Sequence, residues 1–361
     1  MAVVTYKCPN CGGGLIFDPQ AQDFGCEYCG SHFTEEELDR LAPAREQEDR
    51  QPAPEPEAAG APGPGEASAQ EHYAVVYRCP SCGAEVVTDE TTAATFCYYC
   101  HNPVVLEGRL QGEYAPDKVI PFAVERERAV SDFLEWAGKK WFVPRAFFSK
   151  QQIEKISGVY FPYWTADFDI HGVLEGTGTQ VRTWRAGNTE YTETRHYRVA
   201  REGRLVFEEI VRNALQKANR KLVEGILPFN GSAAKDFQMG YLSGFQAEKR
   251  DVDKEQVEQE VAGEAREYSE TLLRESASGY AAVVPSRLDA DVVKADWHYI
   301  LLPVWVLTYK GRGGKIYYYA MNGQTGKVCG ELPVDGKRLA ALFAAVALPL
   351  FAILSLGGWL L

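Results

Sequence analysis

Residues 6–29 read YKCPNCGGGLIFDPQAQDFGCEYC, and residues 77–100 read YRCPSCGAEVVTDETTAATFCYYC. Each stretch contains two C-x-x-C pairs, and the spacing between the inner cysteines is the same in both. A C-x-x-C turn directs two thiolates at one point, and two such turns complete a tetrahedral four-thiolate site. The repeat therefore indicates an internal duplication of one metal-binding module.

The duplicated spacing predicts two Zn²⁺ ions as cofactors. Four protein ligands leave no open coordination position, so we expect both metals to be structural rather than catalytic. A disulfide framework is the alternative. The residues before the first cysteine do not resemble a secretory leader, so we expect a reducing compartment, in which disulfides are rare. The predicted ligands are Cys8, Cys11, Cys26 and Cys29 in the first module and Cys79, Cys82, Cys97 and Cys100 in the second.

Glycines follow three of the four cysteine pairs, namely Gly12, Gly30 and Gly83. Glycine accepts a positive φ, which turns backbone N–H groups toward the thiolates, and we expect that conformation here. The fourth pair is followed by His101 instead. This histidine either forms a more strained turn or competes as a metal ligand.

The charge of the chain is unevenly distributed. Its 361 residues carry a net charge of −12, and all of this excess lies in residues 1–112. Nucleic-acid binding requires clustered Lys and Arg side chains that neutralise phosphates. The acidic cysteine modules therefore favour a protein partner over nucleic acid.

Composition divides the chain into five segments. One segment is rich in Pro, Ala, Glu and Gly and lacks large apolar side chains, which predicts a disordered acidic linker. The fold class we expect is α+β, with two N-terminal four-cysteine zinc ribbons, a central mixed domain with antiparallel strands, and one C-terminal transmembrane helix. The predicted boundaries are 1–41 for the first ribbon, 42–72 for the linker, 73–112 for the second ribbon, 113–335 for the α+β domain and 336–361 for the anchor.

Hydrophobic periodicity predicts the elements of the central domain. Ser149 and Gln152 resemble a capping box, which would begin a short helix ending at Gly158. A long charged helix over 253–276 is either a solvated helix on the domain or a coiled-coil partner surface, and its apolar stripe is Val257, Val261, Ala265, Tyr268 and Leu272. Other predicted helices cover 35–41, 126–142 and 214–224, and predicted strands cover 159–173, 189–199, 205–211, 299–310, 315–321 and 327–332.

The C-terminal segment Leu339–Leu361 reads LAALFAAVALPLFAILSLGGWLL, twenty-three residues without a charge. A helix of this length spans the roughly 30 Å hydrocarbon core of a bilayer, whereas a buried core helix is seldom apolar for so long. Lys337 and Arg338 precede the segment and, by the positive-inside rule, hold that side in the cytoplasm. We therefore expect a tail-anchored, single-pass protein of the cell membrane with its N-terminal domains in the cytoplasm.

The sequence offers little sign of an enzyme. It contains no phosphate-binding loop, dinucleotide fingerprint, HExxH motif or GxSxG elbow. His171, His196 and His298 fall in or beside predicted strands, where we expect structural roles. Cys329 stands apart from the cysteine pairs and is interpreted as a small core residue. We therefore predict no catalytic activity.

Several motifs resemble a bacterial family of zinc-ribbon membrane proteins encoded in membrane-stress operons, whose ribbons are described as TFIIB-type. The resemblance covers most of the chain and includes the Tyr-x-Cys-Pro-x-Cys start of both cysteine modules. Its more specific motifs are GVYFPYW at 158–164, EGILPF at 224–229, YLSGFQAEK at 241–249 and NGQTGK at 322–327.

Members of this family resemble adaptors that act with SPFH/flotillin-like proteins and recruit phage-shock-protein-A-like proteins to the membrane. The resemblance implies an adaptor of the stress response with these two partner classes. A membrane-tethered nucleic-acid-binding regulator is the alternative, and an enzyme with an unrecognised site in the α+β domain is a second one. In an adaptor, exposed aromatic side chains would anchor the partner, and the candidates are Tyr28, Phe33, Tyr98 and Tyr99.

Overall fold

A computed structural model describes residues 3–4, 7–38, 40, 75–78, 85–89, 91–96, 103–106, 109–110, 112–311 and 315–360. Sheet dominates this part of the chain, which contains sixteen strands and five α-helices. The strands are β1 (Val3–Val4), β2 (Leu15–Asp18), β3 (Asp23–Cys26), β4 (His32–Phe33), β5 (Val75–Arg78), β6 (Glu85–Thr88), β7 (Thr92–Phe96), β8 (Pro103–Leu106), β9 (Lys118–Val119), β10 (Ser157–Ala186), β11 (Thr189–Asn213), β12 (Lys235–Asp236), β13 (Gln246–Glu248), β14 (Ala282–Lys310), β15 (Ile316–Asn322) and β16 (Val328–Gly330).

The helices together contain fewer residues than the strands. They are α1 (Arg126–Gly138), α2 (Lys150–Ile153), α3 (Arg220–Gly225), α4 (Lys254–Glu275) and α5 (Gly336–Leu360). Single 3-10 turns cover Gly112–Tyr114, Arg145–Phe148, Gly231–Ala233 and Met239–Leu242.

The chain forms two compact units. The first contains residues Met1–Phe161, Lys217–Lys249 and Leu301–Leu361, and the second contains Pro162–Gln216 and Arg250–Ile300. The largest sheet follows the strand order β1-β8-β7-β13-β10-β14-β15-β16. Separate small sheets are formed by β2-β3-β4 and by β5-β6.

The core of the first unit is aromatic. The ring of Phe122 stacks on Phe245 at 4.2 Å and meets Trp305 at 5.1 Å and Tyr160 at 5.0 Å. The indole N–H of Trp305 donates to the carbonyl oxygen of Val124 at 2.9 Å. These buried contacts fix the segment that leads into α1, because each ring is held on more than one side.

The second unit is built on the hairpin of β10 and β11. Their antiparallel register runs from Tyr163 opposite Asn213 to Ala186 opposite Thr189, with one irregularity near Ala166. Helix α4 begins at a capping box, in which Asp253 and Gln256 satisfy each other's backbone N–H groups. Its C-terminal end packs on the hairpin in a cluster of Leu174, Val199, Leu273 and Ala277.

The predicted α+β fold class is wrong, because the structure is mostly sheet. Strands β10, β11 and β14 run for 30, 25 and 29 residues, where the sequence indicated shorter and separate strands. Glycines and charged side chains within these strands are typical of strand ends, and the predicted strands therefore stopped at them. Gly176 instead lets the backbone approach closely, since a Cβ there would lie 2.4 Å from the carbonyl oxygen of Val284.

The predicted transmembrane anchor is also wrong. Within the described residues, no helix has the length and apolar character that crossing a bilayer requires. The transmembrane, tail-anchored and single-pass cell-membrane predictions are corrected accordingly.

Two ribbons are not found in the described part of the chain, which brings together one group of four cysteines. Cys79, Cys82, Cys97 and Cys100 lie outside the described residues, as do His101 and Gly83. The strands on either side of Cys97 and Cys100, β7 and β8, belong to the large sheet instead of forming a small sheet of their own.

Several helix predictions need adjustment. Helix α1 confirms the amphipathic helix predicted from residue 126, and α4 confirms the long charged helix. The capping box at Ser149 is wrong, because its side chain makes no capping bond and Gln152 donates to the carbonyl oxygen of Thr308 instead. The helix predicted over 214–224 is confined to α3.

The apolar stripe of α4 is partly wrong. Val257, Val261 and Ala265 are buried, but Tyr268 and Leu272 are 64% and 46% exposed. The next buried positions are Ser269 and Leu273. The buried row continues in steps of four residues, whereas the predicted stripe took a step of three residues from Ala265 to Tyr268 and so moved onto the exposed side of the helix.

Candidate metal centre

The four-cysteine module, residues 7–38, is built on the three-stranded sheet β2-β3-β4. Leu15 lies opposite Cys26 and Phe17 opposite Phe24 in the β2–β3 register. The apolar side chains Leu15, Phe17 and Phe24 are buried, so this small sheet has a core of its own. Cys26 is the last residue of β3, and the strand therefore fixes the position of one sulfur.

The two cysteine pairs have the same backbone geometry. In the first, the N–H of Cys8 donates to Gly13 and the N–H of Gly12 donates back to Cys8, at 2.6 and 2.9 Å. In the second, the N–H of Cys26 donates to Ser31 and the N–H of Gly30 donates back to Cys26, at 2.9 and 2.8 Å. Each pair thus sits in a tight loop closed by two hydrogen bonds.

The predicted glycine conformation is confirmed at the two described positions. Gly12 has φ +74° and Gly30 has φ +69°. L-residues with a Cβ rarely adopt this region, so the loops depend on glycine. The N–H of Asn10 points at the sulfur of Cys8 at 3.4 Å, as expected when the backbone turns toward a thiolate.

The four sulfur atoms converge on one point. All lie within 4.8 Å of one another, with Cys8 and Cys29 at 3.6 Å and Cys11 and Cys26 at 3.5 Å. Four sulfurs bound at about 2.3 Å to a tetrahedral ion would be separated by about 3.8 Å. Cys8, Cys11, Cys26 and Cys29 could therefore hold one metal ion.

The pKa values of two of the thiols, Cys11 and Cys29, are shifted in opposite directions. The hydroxyl and backbone of Ser31 lower the pKa of Cys29 to about 6. The backbone N–H of Gly13 lowers the pKa of Cys11, but hydrogen bonds with the Cys26 and Cys29 thiols outweigh it and raise that pKa to about 12. The metal-free cluster therefore keeps protons that a metal ion must displace.

An unanticipated segment, residues 235–245, holds the cysteine module. The hydroxyl of Tyr241 donates to the Glu35 carboxylate at 2.6 Å, and its ring contacts Phe17 and Phe24 with centroids at 5.2 and 5.9 Å. Lys235 lies 5.4 Å from the centre of the Tyr241 ring and 3.8 Å from Glu35.

Backbone contacts extend this attachment. Phe17 donates its N–H to the carbonyl oxygen of Ser243 at 3.1 Å, and the Ser243 hydroxyl donates to the carbonyl oxygen of Leu15. Gly244, at φ +89°, has no room for a side chain, since a Cβ would lie 2.4 Å from the Cγ2 of Ile16. The module is therefore fixed against the first unit by both side-chain and backbone contacts.

The predicted contact aromatics differ in exposure. Tyr28 is 74% exposed and lies over Gly13, where a Cβ would come within 2.6 Å of its ring. Phe33 is half-buried and pairs with Phe24 between β3 and β4. Tyr98 and Tyr99 lie outside the described residues.

The uncharacterized protein YdjG of Bacillus subtilis (strain 168) is 31% identical over 354 residues, which cover 98% of this chain and 97% of that protein. The chain belongs to the same family as YdjG. No family model matches the chain, and no solved structure matches it.

Two of the motifs that carry the family resemblance contact each other in the fold. The buried Asn322 donates to the carbonyl oxygens of Ile226 and Pro228 at 3.0 and 3.1 Å. Its own side-chain oxygen accepts from the N–H groups of Gln324 and Thr325, both at 2.9 Å. NGQTGK and EGILPF thus form one hydrogen-bonded corner of the first unit.

The other two motifs meet at the aromatic core. Gly158 lies against Phe245, where a Cβ would come within 2.6 Å of the ring, and Gly323 lies in the same way against Phe122. In YLSGFQAEK, Tyr241 to Gly244 hold the cysteine module while Phe245 enters the core. Apart from the distinctive residues themselves, no pattern in the sequence indicated this arrangement.

The remaining single residues are spread through the chain. His171 pairs with Glu202 at 3.3 Å on the hairpin of the second unit. Cys329 is half-buried beside Gly225, whose missing Cβ makes space for its sulfur. The expectation that Cys329 is a core residue is thus met only in part.

Proposed function

We propose that this protein is an adaptor in which a Zn²⁺-bound cysteine module presents a fixed surface to a protein partner. The observation that carries the proposal is Tyr28, a largely exposed aromatic side chain between the ligand candidates Cys26 and Cys29. Tyr is one of the residue types that dominate binding energy at protein interfaces. A metal-clamped loop would hold it in place before the partner arrives, which lowers the entropy cost of binding.

Zn²⁺ is the proposed metal because all four donors are thiolates in a closed tetrahedral set. The second stretch has the same four cysteines at the same spacing, which supports a second Zn²⁺ bound by Cys79, Cys82, Cys97 and Cys100. Both ions would be structural.

The partner classes follow from the family resemblance. Phage-shock-protein-A-like and SPFH/flotillin-like proteins are the candidates, and the process would be a stress response. The acidic character of residues 1–112 supports a protein partner over nucleic acid, because phosphates would be repelled.

The test is a binding measurement with purified proteins. The zinc-loaded chain is titrated with a phage-shock-protein-A-like protein and, separately, with an SPFH-like protein, by isothermal calorimetry. Tyr28→Ala is expected to weaken binding about tenfold or more, as truncation of an interface aromatic does. Zinc content measured on the same sample verifies that the site is intact.

The matched control is Tyr268→Ala on α4, since Tyr268 is also largely exposed. This change should leave binding unaltered. Loss of binding in Tyr268→Ala but not in Tyr28→Ala would move the interface to α4, and no binding of either partner class would refute the adaptor.

A further inference from the structure

An open cleft lies between the cysteine module and the rest of the first unit. Its volume is about 540 Å³. One wall is formed by β2 and β3 with Ile16 and Cys26, and the other by the start of α1 at 125–127. The floor contains Phe245 and Trp305.

The floor is apolar and fixed in place. Phe17, Phe245 and Trp305 are almost fully buried, so each shows the cleft only part of its ring. Phe245 is stacked on Phe122, and the indole of Trp305 is held by its hydrogen bond to Val124. A ligand would therefore meet a preformed apolar surface, which is typical of binding clefts.

The rim is acidic. Four carboxylates line the cleft, from Asp18, Glu27, Glu125 and Glu127. Four-thiolate coordination of Zn²⁺ would add two negative charges beside them through Cys26, because four thiolates outweigh one divalent ion. In a site partly shielded from water such like charges act together on an incoming cation.

The positive groups beside the cleft are fewer than its carboxylates. The guanidinium of Arg126, which donates to the carbonyl oxygen of Glu154 at 3.1 Å, offsets one of the four negative charges. His32 is bonded to the Asp23 carboxylate at 3.0 Å, which raises the pKa of the imidazole and balances its charge when it is protonated. The N-terminal turn of α1 attracts anions through the helix dipole, but this turn already contains the carboxylate of Glu127. The cleft is therefore net negative around an apolar floor.

We propose that this cleft binds a short segment of the partner protein in which an apolar side chain is flanked by Lys or Arg. The inference rests on the proposed adaptor function and names the chemistry that its partner must offer. The apolar side chain enters between Ile16 and Trp305, and the cations meet the four rim carboxylates. Phosphate-bearing ligands are repelled by the same rim, which favours a basic peptide over nucleic acid.

Three synthetic hexapeptides of equal length test the two requirements separately. One has a central Leu-Phe pair flanked by lysines, the second replaces the lysines with glutamates, and the third replaces the Leu-Phe pair with serines. Each carries a fluorophore, and binding to the zinc-loaded full chain is followed by anisotropy. We expect binding by the first peptide alone, and we expect it to weaken as salt is added.

A double charge reversal tests whether the peptide binds in the cleft. Glu27→Lys/Glu127→Lys is expected to weaken the first peptide roughly tenfold or more, since two rim carboxylates become cations. Glu255→Lys/Glu267→Lys makes the same change in net charge at two exposed carboxylates of α4 and should leave binding unaltered. Zinc content is measured on every variant.

Several results would overturn the inference. These are equal binding of the lysine and glutamate peptides, no binding by any peptide at millimolar concentration, or an unchanged affinity in the Glu27→Lys/Glu127→Lys variant. If that variant still binds the partner protein while Tyr28→Ala does not, the adaptor function stands and the cleft is not its docking site.

Discussion

The hydroxyl of Tyr241 and the carboxylate of Glu35 form a 2.6 Å hydrogen bond across 206 residues of sequence. This bond joins the cysteine module to a segment that the motif YLSGFQAEK provides. Because Phe17 and Phe24 pack on the same tyrosine ring, folding of the module and folding of the first unit are coupled.

Tyr241→Phe should reduce the free energy of unfolding by about 1 kcal/mol, the usual net value of one hydrogen bond, while keeping the ring contacts. Urea unfolding of the zinc-loaded protein measures this. Tyr268→Phe is the control on an exposed tyrosine and should change stability by less than about 0.5 kcal/mol. Equal effects of the two substitutions would show that the Glu35 contact contributes nothing.

Gly244→Ala should destabilise the protein by more than the roughly 1–2 kcal/mol that a left-handed residue with a Cβ costs. The added methyl would also meet Ile16 at 2.4 Å and push the module away. Thermal unfolding measures the loss. Gly263→Ala lies in α4, where a Cβ has free space, and is expected to stabilise by about 0.5–1 kcal/mol. A neutral Gly244→Ala would contradict the close approach.

Asn322→Ala should cost about 2 kcal/mol or more, because it removes the partners of two carbonyl oxygens and two N–H groups in a buried corner. Asn322→Asp keeps the acceptor and removes the donors, so it should also destabilise. Asn219→Ala is the control, since that exposed side chain makes no capping bond. Denaturant unfolding compares all three.

Purified protein should contain two equivalents of zinc, one for each duplicated cysteine stretch. Cys26→Ser should reduce the content by one equivalent, and Cys97→Ser should do the same independently. Inductively coupled plasma analysis gives the numbers, with Cys329→Ser as a control that keeps both metals. A single equivalent in the unmodified protein would refute the second site.

Metal affinity of the first site should rise with pH. The pKa of Cys11 is raised to about 12, so the metal-free protein keeps the Cys11 thiol proton at neutral pH. Binding of a metal ion must release this proton. Below about pH 6 the Cys29 thiolate is lost as well, since its pKa lies near that value, and affinity should fall more steeply. Competition with a chromophoric chelator between about pH 5 and 8 measures the slope, and a pH-independent affinity would contradict thiolate ligation.

Local chemistry made part of this molecule predictable. The C-x-x-C spacing and the following glycines specify the loops around Cys8 and Cys26 because ligand direction and positive φ are properties of a few neighbouring residues. The long charged helix α4 was predicted for the same reason, from the periodicity of neighbouring residues. These features depend on contacts of three to five residues along the chain.

Long-range features were not predictable in the same way. Tyr241 and Asn322 act through partners about a hundred or more residues away, and a single sequence does not reveal such pairs. Only parts of the long strands were predicted, because glycines such as Gly176, which a close backbone approach requires, are also typical of strand ends. The α+β class failed with them, and the transmembrane anchor expected from the composition of residues 339–361 was not found among the described helices.

The attachment of the cysteine module also links metal binding to the stability of the first unit. The ring of Tyr241 packs on Phe17 and Phe24 of the module, and its hydroxyl donates to Glu35. A ligand that binds only the folded state shifts the folding equilibrium by mass action, in proportion to the logarithm of its free concentration when it is in excess. The supply of metal ion would therefore set the stability of contacts that lie more than two hundred residues away from the cysteines in the sequence.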